Sequence, residues 1–180
     1  MIFIAIFVWG FSEATLFFII PDVLLTLYAV LTRSFRKVLV ACLICVLGAM
    51  FGGTFMYTLP FYENEISGIV FRSRFINLEM IEHVHSTLRS NLWMGLITGP
   101  LFGVPYKLFA LIAPNYTSLS LFLLITIPAR LSRFILFSGL AYVLSHYVFK
   151  GLSVRMKIIV WSIVWIVGYL LYFIAIGVVK

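Results

Sequence analysis

Val38 to Leu59 runs for 22 residues without a charge, and Ile158 to Val179 does the same. As helices these runs reach about 33 Å, enough to cross a hydrocarbon core of about 30 Å. Three further apolar stretches, 1 to 31, 92 to 113 and 119 to 149, carry only isolated charges. The chain is 63% hydrophobic and 11% charged, against roughly a quarter charged in soluble domains, so it cannot clothe a water-facing surface. It reads as an all-α integral membrane protein. No basic region precedes the first apolar run, which is therefore expected to stay in the mature chain rather than leave as a signal peptide.

The first stretch is too long for a simple crossing, at about 46 Å as one helix. Pro21 removes a backbone donor and crowds the preceding turn. The stretch is expected to divide into a long arm, Met1 to Ile20, and a short arm, Val23 to Thr32. Such a re-entrant hairpin needs its tip buried in protein or beside water. Residues 96 to 114, "LITGPLFGVPYKLFALIAP", hold Gly99, Pro100, Gly103, Pro105 and Pro114 around a single charge, Lys107. That density of breakers predicts a second hairpin. "PDVLLTLYA" from Pro21 and "PYKLFALIA" from Pro105 align their proline, a leucine and the final alanine at an offset of 84. Paired, proline-interrupted segments mark inverted-repeat carriers.

The whole chain, 1–180, is expected to be one membrane domain with about three transmembrane helices. Residues 1–59 form a first repeat and 92–149 a second, each a hairpin plus a helix. Residues 60–91 are a polar connector, and 150–180 a basic loop with a C-terminal span. In the connector Ile76, Met80, Ile81 and Val84 recur at helical spacing, with Glu79, Glu82 and His83 on other faces. This predicts an amphipathic helix at the interface or against the bundle. Glu79, Glu82, His83 and His85 match no established metal-ligand spacing, and a solvated helix face accounts for them. No metal and no cofactor are expected.

The net charge of +7 does not point to nucleic acid. Arg33, Arg36 and Lys37, then Lys150, Arg155 and Lys157, cluster at the ends of apolar segments, as anchors beside anionic lipid do. Counting them does not decide the topology, because hairpins and straight crossings both divide the basic residues six to four. Hairpins place the two clusters on one side. Cys42 and Cys45 form a CxxC inside an uncharged run, where packing outweighs redox chemistry. Gly48 and Gly52 form a GxxxG, read as close helix approach within the chain rather than a dimer signal. A homo-oligomer remains open.

Five charges stand at membrane depth: Glu13, Asp22, Lys107, Arg130 and Arg133. Each costs on the order of 2.5 to 3.5 kcal/mol unpaired, and together on the order of 10 kcal/mol, comparable to the stability of a domain. The acids lie in the first half and the bases in the second, so folding the halves together would pair them. A carboxyl group that alternates between a basic partner and an apolar setting takes up and releases a proton, a role open to Glu13. Arg130 or Arg133 suits a lipid phosphate, because a guanidinium matches phosphate oxygens. The alternative is a set of structural salt bridges in a protein that transports nothing. Asp22 could equally cap the arm beginning at Val23, and Lys107 could snorkel. Arg130 and Arg133 lie mid-helix if the segment is continuous, and near an interface if Pro128 divides it.

An acid in the first apolar segment, a proline–acid pair further on and the glycine-rich "GAMFGG" resemble the DedA family, the bacterial branch of the VTT, or SNARE-associated Golgi protein, superfamily. "FGVPYKLFALIAP" resembles that family's proline hairpin with its basic residue, and "PARLSRF" the basic stretch that follows. The resemblance covers about residues 10 to 145. The short Glu13–Asp22 spacing, "PYK" and Pro114 depart from the family pattern and mark a divergent branch. The resemblance implies two re-entrant hairpins entering from opposite faces and the movement of undecaprenyl phosphate or phospholipid across the bilayer, with proton coupling in some members. It places the essential acids on Glu13 and Asp22 and the essential bases on Lys107, Arg130 and Arg133. Pro21, Gly103, Pro105 and Pro128 would be the breakers. The expected partners are anionic or phosphate-bearing lipids and protons, in a bacterial inner membrane. No HExxH or Gly-x-Ser-x-Gly motif suggests an enzyme. The competing expectation is a membrane scaffold or subunit.

Overall fold

A computed structural model of the chain describes residues 1–16, 19–62, 76–99 and 104–175. Among these residues the regular structure is helical throughout. α1 is Ile2–Thr15, α2 Asp22–Leu31 and α3 Phe35–Thr58. α4, Leu78–Ser90, leads into two short helices, α5 at Leu92–Thr98 and α6 at Tyr106–Ile112. α7, Leu119–Val143, runs on into a π-helical turn at Leu144–Val148, and α8 is Val154–Ala175. Three helices, Phe35–Thr58, Leu119–Val148 and Val154–Ile174, are long and apolar enough to cross a membrane. The chain is a membrane protein on that evidence of length and composition.

α1 stops well before the expected Ile20. The Thr15 hydroxyl donates back to the carbonyls of Phe11 and Ser12 at 3.1 and 3.0 Å, competing with the helical ladder. Two aromatic heads then serve the broken backbone. Trp9 Nε1 donates to the Ile19 carbonyl at 3.1 Å, and the Ile20 N–H donates to Tyr169 Oη at 2.9 Å. Such groups need partners in apolar surroundings. α2 begins at Asp22, with Pro21 as its N-cap and no side-chain cap. The capping reading of Asp22 is therefore corrected: it is the first helical residue, and its carboxylate turns elsewhere.

α1 and α2 fold back on each other, the Phe3 ring standing edge-on to Tyr28 at 6.0 Å. α1 lies along α3 in the same direction, with Phe7 against Phe51 at 5.9 Å and Phe11 against Phe55 at 6.5 Å. Glycine permits this approach. A Cβ on Gly48 would strike the Phe7 carbonyl, one on Gly52 would lie 2.7 Å from the Phe11 carbonyl, and one on Gly10 would strike that of Cys45. The GxxxG thus seats α1 on α3, and Cys42 and Cys45 are buried in α3. α7 is antiparallel to α3, with Phe35 beside Tyr142 at one end (5.4 Å) and Tyr57 beside Phe122 at the other (5.8 Å). Tyr142 Oη donates to the Arg33 carbonyl at 3.1 Å and Ser145 Oγ to that of Val30 at 3.1 Å. These bonds hold the start of α3 and the end of α2 at the C-terminal end of α7.

Pro128 does not divide α7, contrary to its expected role as a breaker. Phe122, Ile125, Thr126, Ala129, Arg130 and Phe134 are buried in one stripe that continues across the proline. Packing on both sides of Pro128 outweighs one missing N–H and holds a single helix. Pro105 does act at a boundary, as the N-cap of α6. Gly103 and Pro100 lie outside the described residues. α4 buries Met80, Val84 and Leu88, four residues apart, while Glu79, Glu82 and His83 are exposed. Asn77 Oδ1 accepts from the Met80 N–H at 2.8 Å and fixes its start. His85 Nδ1 lies 2.8 Å from Tyr116 Oη, which ties α4 to the turn after α6.

Candidate polar chamber at the centre of the bundle

Arg130 and Arg133 stand near the middle of α7, three residues apart and so on one face. Each meets an acid from the first half of the chain, Glu13 on α1 or Asp22 on α2. Arg130 Nη2 donates to Glu13 Oε2 at 2.7 Å, with both residues about 95% buried or more. Arg133 Nη2 lies 3.0 Å from Asp22 Oδ2. This second pair is a contact of charges rather than an aligned hydrogen bond. Both Asp22 carboxylate oxygens and Arg133 Nε have no hydrogen-bond partner among the described residues. The acids of the first half and the bases of the second do come together.

The local structure explains the placement. Glu13 sits in the last turn of α1 just before Thr15 ends it, and Asp22 opens α2, so both acids flank the break. The facing ends of α1 and α2 bring the two acids to one level, and the uninterrupted α7 holds the arginines beside them. Lys107 lies in the first turn of α6 and is 1% exposed, so it does not snorkel outward. Four of the five charged residues singled out from sequence thus meet in two acid–arginine pairs, and Lys107 is buried on α6, which also carries Tyr106 against Arg130.

Sequence reasoning missed Tyr106. Its ring lies under the Arg130 guanidinium at 4.0 Å, a cation–π contact in a desolvated setting. Its hydroxyl donates to Thr126 Oγ1 at 3.3 Å. Gly53 makes the room, because a Cβ there would strike the Tyr106 hydroxyl. The signal was present in "PYK": an aromatic residue with a polar head between a helix-starting proline and a buried lysine. Arg130 is thus clamped between Glu13 on α1 and Tyr106 on α6, while its Nε and Nη1 find no hydrogen-bond partner among the described residues.

Chemically, guanidinium N–H groups of this kind suit an anion, and a carboxylate whose partner moves can exchange a proton. The Asp22 oxygens and the arginine N–H groups that lack a hydrogen-bond partner among the described residues are acceptors and donors in a desolvated place. Comparison with family models, curated proteins and solved structures finds no match to this chain.

Proposed function

We propose that the protein is a DedA-like carrier or flippase that moves a lipid phosphate, undecaprenyl phosphate or a phospholipid, across a bacterial inner membrane. Glu13 supplies proton coupling. The observation that carries this reading is the buried Glu13–Arg130 and Asp22–Arg133 cluster, built from residues 117 and 111 positions apart in the chain. Buried ionisable groups at membrane depth are costly and are kept where an ion or substrate passes.

Two features support re-entrant hairpins in an inverted repeat. α1 and α2 are 14 and 10 residues long, about 21 and 15 Å, each too short to cross about 30 Å of hydrocarbon. They fold back so that the Arg33–Lys37 cluster lies at the same end of α7 as Lys150 to Lys157. That is the arrangement hairpins require and straight crossings do not. Secondly, α2 and α6 begin one residue after the aligned prolines, Pro21 and Pro105. α2 leaves the chamber toward Tyr142, and α6 leaves it toward Tyr57 and Thr117, in the opposite sense.

The 2.7 Å Glu13–Arg130 bond also favours a second reading, a scaffold in which the pairs only tie the halves together. Reconstitution separates the two. Glu13→Gln and Arg130→Ala, each recovered as folded protein and placed in vesicles with a fluorescent lipid phosphate, are expected to lose translocation. Normal translocation by both variants rejects the carrier. Poor folding or loss of a bound partner, with no flux in the unmodified protein, favours the scaffold.

A further inference from the structure

α8 touches the rest of the molecule along a narrow seam. Trp161, Trp165 and Tyr169 recur every fourth residue and turn their polar heads inward. Both indole Nε1 groups donate to Thr26 Oγ1 at 3.0 Å. Thr26 Oγ1 in turn donates to the Asp22 carbonyl at 2.6 Å. Beside this seam, between α2, α7 and α8, lies a pocket of about 200 Å³.

Its walls are aliphatic and aromatic, with Val30 on α2, Leu140 on α7, Leu144 in the π-helical turn that follows, and Val160 and Val164 on α8. The polar atoms on its floor, Thr26 and the two indoles, are spent on one another. A guest therefore gains nothing from polar groups inside and must be hydrocarbon. The rim differs. Lys157, in the first turn of α8, donates to the Ser145 carbonyl at 2.5 Å. An ammonium has three donors, so this bond leaves two for another acceptor. Lys150, in the connection before α8, and Arg155, in its first turn, are exposed. From Lys157 to Trp165 the pocket descends about 12 Å along α8.

An apolar slot opening under a fixed cation fits one amphiphile. We propose that this pocket binds an acyl chain of an anionic phospholipid, with its phosphate at Lys157, at a site separate from the Glu13–Arg130 chamber. The bound chain fills the gap between α8 and the α2–α7 pair and fastens α8 against the break at Ile20.

The test is photolabelling of the full chain in nanodiscs. The probes are phosphatidylglycerol carrying a diazirine in one acyl chain and phosphatidylcholine carrying the same chain, with labelled residues mapped by peptide mass spectrometry. Phosphatidylglycerol is expected to label residues 137–149 and 152–165 about fivefold more than phosphatidylcholine, the preference one lysine confers beside anionic lipid. Lys157→Gln should bring that ratio close to one. Ala141→Trp and Val164→Trp, which fill the slot from opposite walls, should remove labelling there by both lipids. Equal labelling by the two lipids in the unmodified protein means an annular lipid only and overturns the proposal. Undiminished labelling in a filled variant that elutes and melts normally also overturns it. If neither filled variant folds, the Lys157→Gln ratio decides. The readout is binding, so a failure of the transport reading leaves it standing.

Discussion

Arg130 illustrates what a buried ion pair does and does not contribute. Bringing Glu13 and Arg130 out of water costs several kcal/mol per ion, and their attraction only offsets that cost when the geometry is good. Removing one partner strands the other. Arg130→Ala is therefore expected to destabilise the protein by about 3 to 5 kcal/mol, read as a lowered melting temperature in detergent. The apolar pair Glu13→Leu with Arg130→Met should recover most of that loss without restoring translocation. A double variant as unstable as the single one would show that the two residues do not act as a pair. Tyr106 offers a finer probe. Tyr106→Leu removes the ring face beneath the guanidinium and should cost about 0.5 to 2 kcal/mol, whereas Tyr106→Phe keeps the face and should melt close to the unmodified protein.

Between elements, close approach depends on missing side chains. Gly52 touches the backbone of α1, while Gly168 on α8 has nothing within 4 Å of where a Cβ would stand. Gly52→Val should push α1 off α3 and lower the melting temperature sharply. Gly168→Ala should raise stability by about 0.5 to 1 kcal/mol, because an alanine loses less backbone freedom in a helix. Equal effects at the two sites would mean that the α1–α3 seam is not held by glycine contact. Pro128→Ala tests the other element-scale finding. Since α7 is already one helix, restoring the N–H should hold or raise the melting temperature and leave the proposed translocation unaffected. A loss of transport on this change would assign Pro128 a hinge role that the continuous helix does not require.

For the molecule as a whole, the decisive feature is which chain ends share a side. Arg36 and Ser153 belong to segments that meet at the C-terminal end of α7, and Asn115 lies before its start. Single cysteines at Arg36→Cys and Ser153→Cys, in a background with Cys42 and Cys45 replaced by alanine, should react with an impermeant maleimide from the same side of oriented vesicles. Asn115→Cys should react from the other side. Arg36→Cys and Ser153→Cys reacting from opposite sides would overturn the proposed hairpin topology and the transport reading that rests on it. The amino-acid sequence alone determined that the chain lives in lipid, because uncharged runs of helical span leave no other solvent for it. It also marked Glu13, Asp22, Lys107, Arg130 and Arg133, because charge at that depth has no inexpensive explanation. It did not determine that α1 ends at Thr15, that α7 ignores Pro128, or that Asp22 opens a helix instead of capping one. Those outcomes come from contacts between residues far apart in the chain: Tyr169 on the broken backbone, packing on both flanks of the proline, Arg133 beside the acid. Local propensity acts within a turn or two, whereas pairing of buried charges and closure of helix seams are settled only when distant segments share the same low-dielectric space.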